Sequence, residues 1–157
     1  MKRQKDYLPI QRRLNVFIAE NDSDDLLLFE EAIDELPVSV QLKTFNNGDE
    51  LMEWLTRKKN RLPDVLFLDL NMPRKNGFAA LGEIKRNTRL QELPVIIFST
   101  ATNKEMIKQV FKDAAHYYIK KPVHFWELKE LVYKALKLIA DHEFSLPDKD
   151  NFMLTID

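Results

Sequence analysis

The chain has 157 residues, with 24 Lys and Arg against 25 Asp and Glu, a net charge of −1, and no cysteine. That length suits one domain, which at this size buries about 70% of its unfolded surface. The balanced charge gives no electrostatic case for nucleic acid or an anionic membrane as partner, and the missing cysteine removes disulfides, zinc-thiolate sites and thiol nucleophiles. No apolar run is long enough to span a bilayer, and the basic start "MKRQKDYLPIQRR" lacks an apolar h-region, so a cytoplasmic location is the default expectation.

Residues 1–13 read as an N-terminal extension, 14–141 as the domain and 142–157 as a C-terminal extension. "LNVFIA" (14–19) is a short, nearly continuous apolar run, the pattern of a strand covered on both faces. A helix follows over 23–36, with Leu26, Leu27, Phe29, Ile33 and Leu36 on one face and Asp22, Ser23 and Asp24 supplying caps and negative charge at its positive end. "VSVQLKTF" (38–45) alternates apolar and polar residues, which places it at a sheet edge with one wetter face. Helix 49–59, strand "DVLFLD" (64–69), helix 77–88, strand "PVIIFS" (94–99), helix 103–113, strand "AHYYIK" (115–120) and helix 124–141 complete the series. The tail "HEFSLPDKDNFMLTID" loses periodicity and reads as a loose or docked extension. Five strands alternating with five helices over short connections give an α/β fold, a doubly wound five-stranded parallel sheet in the order 2-1-3-4-5.

In such sheets chemistry sits beyond the carboxyl ends of the strands. Those ends here carry Glu20 and Asn21 after the first strand, Asp69 after the third, Ser99 after the fourth and Lys121 after the fifth. Each has a plain structural reading, as a cap or a solvated strand-end charge, but their joint placement at neighbouring strand ends points to one site. Clustered carboxylates need a cation, and oxygen-only ligands suit Mg²⁺ or Mn²⁺. An ionised aspartate beside a divalent cation, a lysine and a hydroxyl can attack phosphorus and form an acyl phosphate, which makes Asp69 a phosphoacceptor candidate.

Over roughly residues 14–140 the chain resembles the receiver domains of two-component response regulators. The resemblance rests on "END" (20–22), on Asp69 ending the third strand before "LNMPRKNG" (70–77), on "FSTA" (98–101) and on "YYIKKP" (117–122). It implies the flavodoxin-like (CheY-like) receiver fold and a phosphoryl group taken by Asp69 from a phosphohistidine on a sensor histidine kinase or histidine phosphotransfer protein. It further implies that Mg²⁺ (or Mn²⁺) is held by Glu20, Asn21, Asp69 and the backbone carbonyl of Asn71, and that Lys121 binds a phosphoryl oxygen. Ser99 takes the switch hydroxyl position with Thr100 beside it, and Tyr118 the aromatic position that turns inward on phosphorylation. Pro73 and Gly77 belong to the loop beside the site, and Pro122 would follow a cis-peptide. Such a domain is not an enzyme in the ordinary sense, since it catalyses only its own phosphorylation and dephosphorylation.

Two departures stand out. Asn21 occupies a position where the family usually has a second acid, so weaker metal affinity or slower phosphorylation is expected than with aspartate there. Alanine stands in "DAAHYY" (113–118) where the family commonly has glycine, which suggests a backbone without positive φ. Other motifs carry little. Three glycines make no phosphate-cradling loop, and Gly82 reads as tolerated within a helix. His116, His124 and His142 share no ligand spacing, and Trp126 and Tyr133 read as rim packing or a partner surface. An aspartyl-phosphate hydrolase would want a second acid two residues after Asp69, where Asn71 stands. No output module is legible after residue 141. The expectation is therefore a stand-alone receiver signalling through helix 4, strand 5 and helix 5 to an unidentified downstream protein, with a homodimer through that face as one form of partner. The alternative is a degenerate receiver working as a phosphorylation-independent binding module.

Overall fold

A computed structural model describes residues 7–101, 103–142 and 145–156. Five parallel strands run β1 (Ile10–Ala19), β2 (Val38–Phe45), β3 (Val65–Leu68), β4 (Val95–Ser99) and β5 (Tyr117–Lys120), in the spatial order β2-β1-β3-β4-β5. The helices are α1 (Ser23–Asp34), α2 (Gly48–Thr56), α3 (Gly77–Arg86), α4 (Lys104–Lys112) and α5 (Phe125–Ala140). The doubly wound order expected from the sequence is the order found.

Side-chain alternation along β1 divides the core in two. Val16 and Ile18 face α1 and α5, while Phe17 and Ala19 face the layer that holds α2 and α3. β3 is buried at every residue, as a central parallel strand must be. β2 keeps its polar residues Ser39 and Gln41 exposed and lies at the sheet edge. β1 starts at Ile10, four residues before its apolar run, because Ile10 pairs with Val38 across an irregularity that ends at Leu14.

Helices α1 to α4 start on one chemistry, whereas α5 starts at His124 with no side-chain cap. Asp22 caps α1 by accepting from the Asp24 and Asp25 amides, and Asn47, Asn76 and Asn103 cap α2, α3 and α4 in the same way. Helix ends fall one to three residues inside the periodic patterns. α2 stops at Thr56 rather than residue 59, since Arg57 turns extended and the Asn60 side-chain Nδ2 donates to the Trp54 carbonyl at 2.9 Å.

The sequence expectation for the turn before β5 is corrected. Ala114 adopts φ 64°, the left-handed conformation. The cause is the way α4 ends. The Ala115 amide donates to the Val110 carbonyl and the Ala114 amide to that of Phe111, both at 3.1 Å, a closure that needs a left-handed residue after Asp113. Alanine holds that conformation at a cost of roughly 1 kcal/mol, so Ala114→Gly is expected to stabilise the fold by about that amount in urea titrations. An unchanged midpoint would refute the strain.

The C-terminal extension is docked. A 3-10 turn at Lys149–Asn151 leads into a parallel bridge between Met153 and Tyr118, so the tail lies along the otherwise free edge of β5. At the other end of the chain, the Tyr7 ring packs tilted against Tyr133 at 4.6 Å and the Tyr133 hydroxyl donates to the Leu8 carbonyl, so Tyr133 serves rim packing. No helix among the described residues is long and apolar enough to cross a membrane.

Candidate phosphoacceptor site

Hydrogen bonds between neighbouring strands set the site. The Asp69 amide donates to the Ala19 carbonyl at 3.0 Å, the Glu20 amide to that of Phe45 at 2.9 Å, and the Lys121 amide to that of Ser99 at 2.9 Å. These bonds, with the pairing of Leu68 and Ile97 across β3 and β4, bring the ends of β1, β3, β4 and β5 together, and Glu20, Asp69, Ser99 and Lys121 stand there. Glu20, Asp69 and Ser99 are buried, whereas Asn21, Asn71, Pro73 and Thr100 are exposed.

Lys121 is the hub. Its Nζ lies 2.7 Å from Glu20 Oε2, 2.8 Å from Asp25 Oδ2 and 3.7 Å from Asp69 Oδ2. Nothing local in the sequence distinguishes Asp25 from the capping acids around it, although it reaches across to β5. Glu20 Oε1 accepts from the Asp22 amide at 3.0 Å, while Oε2 is paired with the Lys121 ammonium. Asp69 Oδ1 accepts from the Asn71 amide at 3.3 Å.

Burial decides the electrostatics. Desolvation pushes the Glu20 carboxyl up to about 7, with hydrogen bonds from Lys121 and the Asp22 amide only partly opposing it and the Asp69 charge adding to it. Asp69 is raised as well, first by burial and against the pull of Lys121. Burial alone would lower the Lys121 ammonium, but hydrogen bonds with Asp25 and Glu20 outweigh that and raise it. Two buried carboxylates are thus under-neutralised by one lysine shared among three acids. Two buried, under-neutralised carboxylates and an all-oxygen donor set fit a hard divalent cation. Among the described residues no group of three or more His, Cys, Asp or Glu gathers around a point, so any such ion would depend on neutral oxygens such as those of Asn21 and Asn71.

Glycine is required at two places beside the site. A Cβ on Gly77 would meet the Asp69 carbonyl at 2.2 Å, and one on Gly48 the Lys75 carbonyl at 2.2 Å. The Gly77 amide donates to Leu70 and the Gly48 amide to Lys75, which folds the β3–α3 loop back on itself and ties it to α2.

Ser99 Oγ accepts from the Ala101 amide at 3.2 Å, and the Tyr118 hydroxyl donates to the Ala101 carbonyl at 2.6 Å. Tyr118 is fully buried, so its ring already points inward. One expected feature is absent: there is no cis peptide among the described residues, and the Lys121–Pro122 bond is trans. Trans is the lower-energy form for X–Pro by about 0.5–1 kcal/mol, and the Lys121 amide is satisfied by Ser99 without the cis form.

The family model described as "Response regulator receiver domain" matches residues 16–133. The chain is similar to the probable methanogenesis regulatory protein FilR2 of Methanothrix harundinacea, 25% identical over 81% of this chain and 84% of that protein. It is 25% identical to the response regulator Rcp1 of Synechocystis, over 74% of this chain and 82% of that one. Among solved structures, the phosphorylated cyanobacterial phytochrome response regulator RcpA superposes with a TM-score of 0.75 at 28% identity, covering 87% of this chain and all of that one. The Mn²⁺-bound form of Rcp1 follows at 0.73 and 22% identity, covering 85% and 99%. A domain of the fold expected, with its acids, hydroxyl and lysine gathered at the ends of β1, β3, β4 and β5, is matched over most of its length, and the chain belongs to the response regulator receiver domain family.

Proposed function

We propose that the protein is a receiver that takes a phosphoryl group onto Asp69 from a phosphohistidine of a sensor kinase or phosphotransfer protein and signals through α4, β5 and α5. The observation carrying this reading is the buried Asp69 carboxylate at the end of β3, with Lys121 Nζ 3.7 Å away and Glu20 bound to the same ammonium. An Asp69 Oδ attacks phosphorus, the P–N bond breaks, and its electron pair leaves with the imidazole nitrogen. Glu20, Asn21, Asp69 and the Asn71 carbonyl would hold Mg²⁺ or Mn²⁺, which when bound neutralises the carboxylates and draws charge from the phosphoryl oxygens. Lys121, poised between Glu20 and Asp25, turns to a phosphoryl oxygen, and the Ser99 hydroxyl donates to another. Tyr118, hydrogen-bonded to Ala101, reports the position of the loop after β4 to the sheet edge.

Intact-mass measurement of the protein incubated with Mg²⁺ and acetyl phosphate tests this, with Asp69→Ala beside it. One phosphoryl group is expected on wild type and none on the variant. No gain by folded wild type, with or without added phosphohistidine donor, would replace the proposal by a phosphorylation-independent binding module.

A further inference from the structure

The edge of β5 is where an outside strand could add to the sheet, and the chain itself fills it. The Tyr118 amide donates to the Phe152 carbonyl at 3.0 Å and the Leu154 amide to the Tyr118 carbonyl at 2.9 Å, so both tail hydrogen bonds at this edge converge on one residue. The Phe152 ring is buried edge-on against Phe111 at 5.2 Å and Tyr118 at 6.2 Å, and Leu154 is buried with the α1 and α5 layer. Asp148 caps the turn that aims the segment, and Lys134 on α5 donates to the Thr155 carbonyl.

From Tyr118 the contacts continue to the phosphoacceptor site. Its hydroxyl fixes the Ala101 carbonyl, the Ala101 amide is held by Ser99 Oγ, and the Ser99 carbonyl takes the Lys121 amide. A fully buried tyrosine must keep a partner for its hydroxyl. Pinning its backbone from the tail side therefore restricts where the 99–101 loop can sit.

We propose that residues 148–156 are an internal latch on the β5 edge, and that latch docking and phosphoryl occupancy of Asp69 stabilise one another through Tyr118. The inference rests on the phosphoacceptor reading above. The docked tail pre-orders the loop that Ser99 needs to hold a phosphoryl oxygen, so a phosphoryl group binds the latched form more tightly; by linkage it tightens the latch equally. The latch is built from one bridge and two buried apolar side chains, Phe152 and Leu154, so it can open locally while the receiver stays folded. Any partner at this edge must displace it or read it.

Hydrogen exchange at the Leu154 and Tyr118 amides of the full chain, with and without Mg²⁺ and beryllofluoride as phosphoryl mimic, is the test. Fluorine NMR reports binding of the mimic independently. Protection is expected to rise roughly fivefold or more when beryllofluoride is bound, and Phe152→Ala to raise the half-saturating beryllofluoride concentration by the same factor. Leu154→Ala serves if Phe152→Ala fails to fold. Bound beryllofluoride with unchanged amide protection would overturn the latch and leave the phosphoacceptor reading intact. No binding of beryllofluoride and no phosphoryl uptake would remove both. Protection that depends on protein concentration would mean that the segment comes from a second copy and would overturn the internal assignment.

Discussion

Glu20→Gln is expected to stabilise the metal-free protein at pH 8 by on the order of 2–3 kcal/mol, although it removes a buried ion-pair partner of Lys121. The folded chain holds the Glu20 proton up to about pH 7, against 4.5 for an ordinary glutamate. The folded state then binds more protons than the unfolded one across this window. Stability from this group is full below pH 4.5 and is lost as pH rises through 7. Asp69, also raised by burial, acts in the same direction. The gain from glutamine should appear above pH 7 and vanish below 4.5, and under the proposed Mg²⁺ coordination it should shrink when Mg²⁺ is added, because losing the Glu20 charge weakens the cation's hold. Urea titrations at pH 8 and pH 4.5, with and without Mg²⁺, check this. A destabilised variant at pH 8 without metal would show that the pair with Lys121 outweighs burial.

His116 has the opposite sign. It is buried beside β4, its Nδ1 accepts from the Val95 amide at 3.3 Å, and burial, aided by the Lys85 charge, lowers it to about 4. Here the unfolded chain binds the extra proton. Stability from His116 is present above pH 6.5 and is lost, to the extent of about 3 kcal/mol, as pH falls to 4. In wild type the two effects oppose each other over pH 4.5–6.5, so the profile should be shallower than in either variant. Glu20→Gln should steepen the acid loss, with only Asp69 left to oppose His116. His116→Gln, although less stable overall, should become more stable on acidification from pH 7 to 4.5. Parallel profiles for all three proteins would contradict the assignment of these groups.

Sheet order and strand-end residues were legible because they follow from local patterns: β3 is apolar at every position, β2 alternates, and each strand stops at a polar residue. Glu20, Asp69, Ser99 and Lys121 come together for that reason alone. The partnership of Asp25 with Lys121 was not legible, since it spans 96 positions and depends on how α1 leans over the site. The left-handed Ala114 was missed because alanine advertises the opposite, and the demand for that conformation comes from how α4 is closed. The tail sequence is compatible with either a loose or a docked extension. Phe152, Met153 and Leu154 show too short a pattern to signal a strand, and it is the open edge of β5 that gives them a place.

The most direct measurement of the central claim is to locate the phosphoryl group. After incubation with Mg²⁺ and acetyl phosphate, the protein is digested and the modified peptide mapped by mass, with and without hydroxylamine, which cleaves acyl phosphates. A single hydroxylamine-labile group is expected, on the peptide that contains Asp69. A hydroxylamine-stable group on Ser99 or Thr100, or a label on the Glu20 peptide, would contradict it.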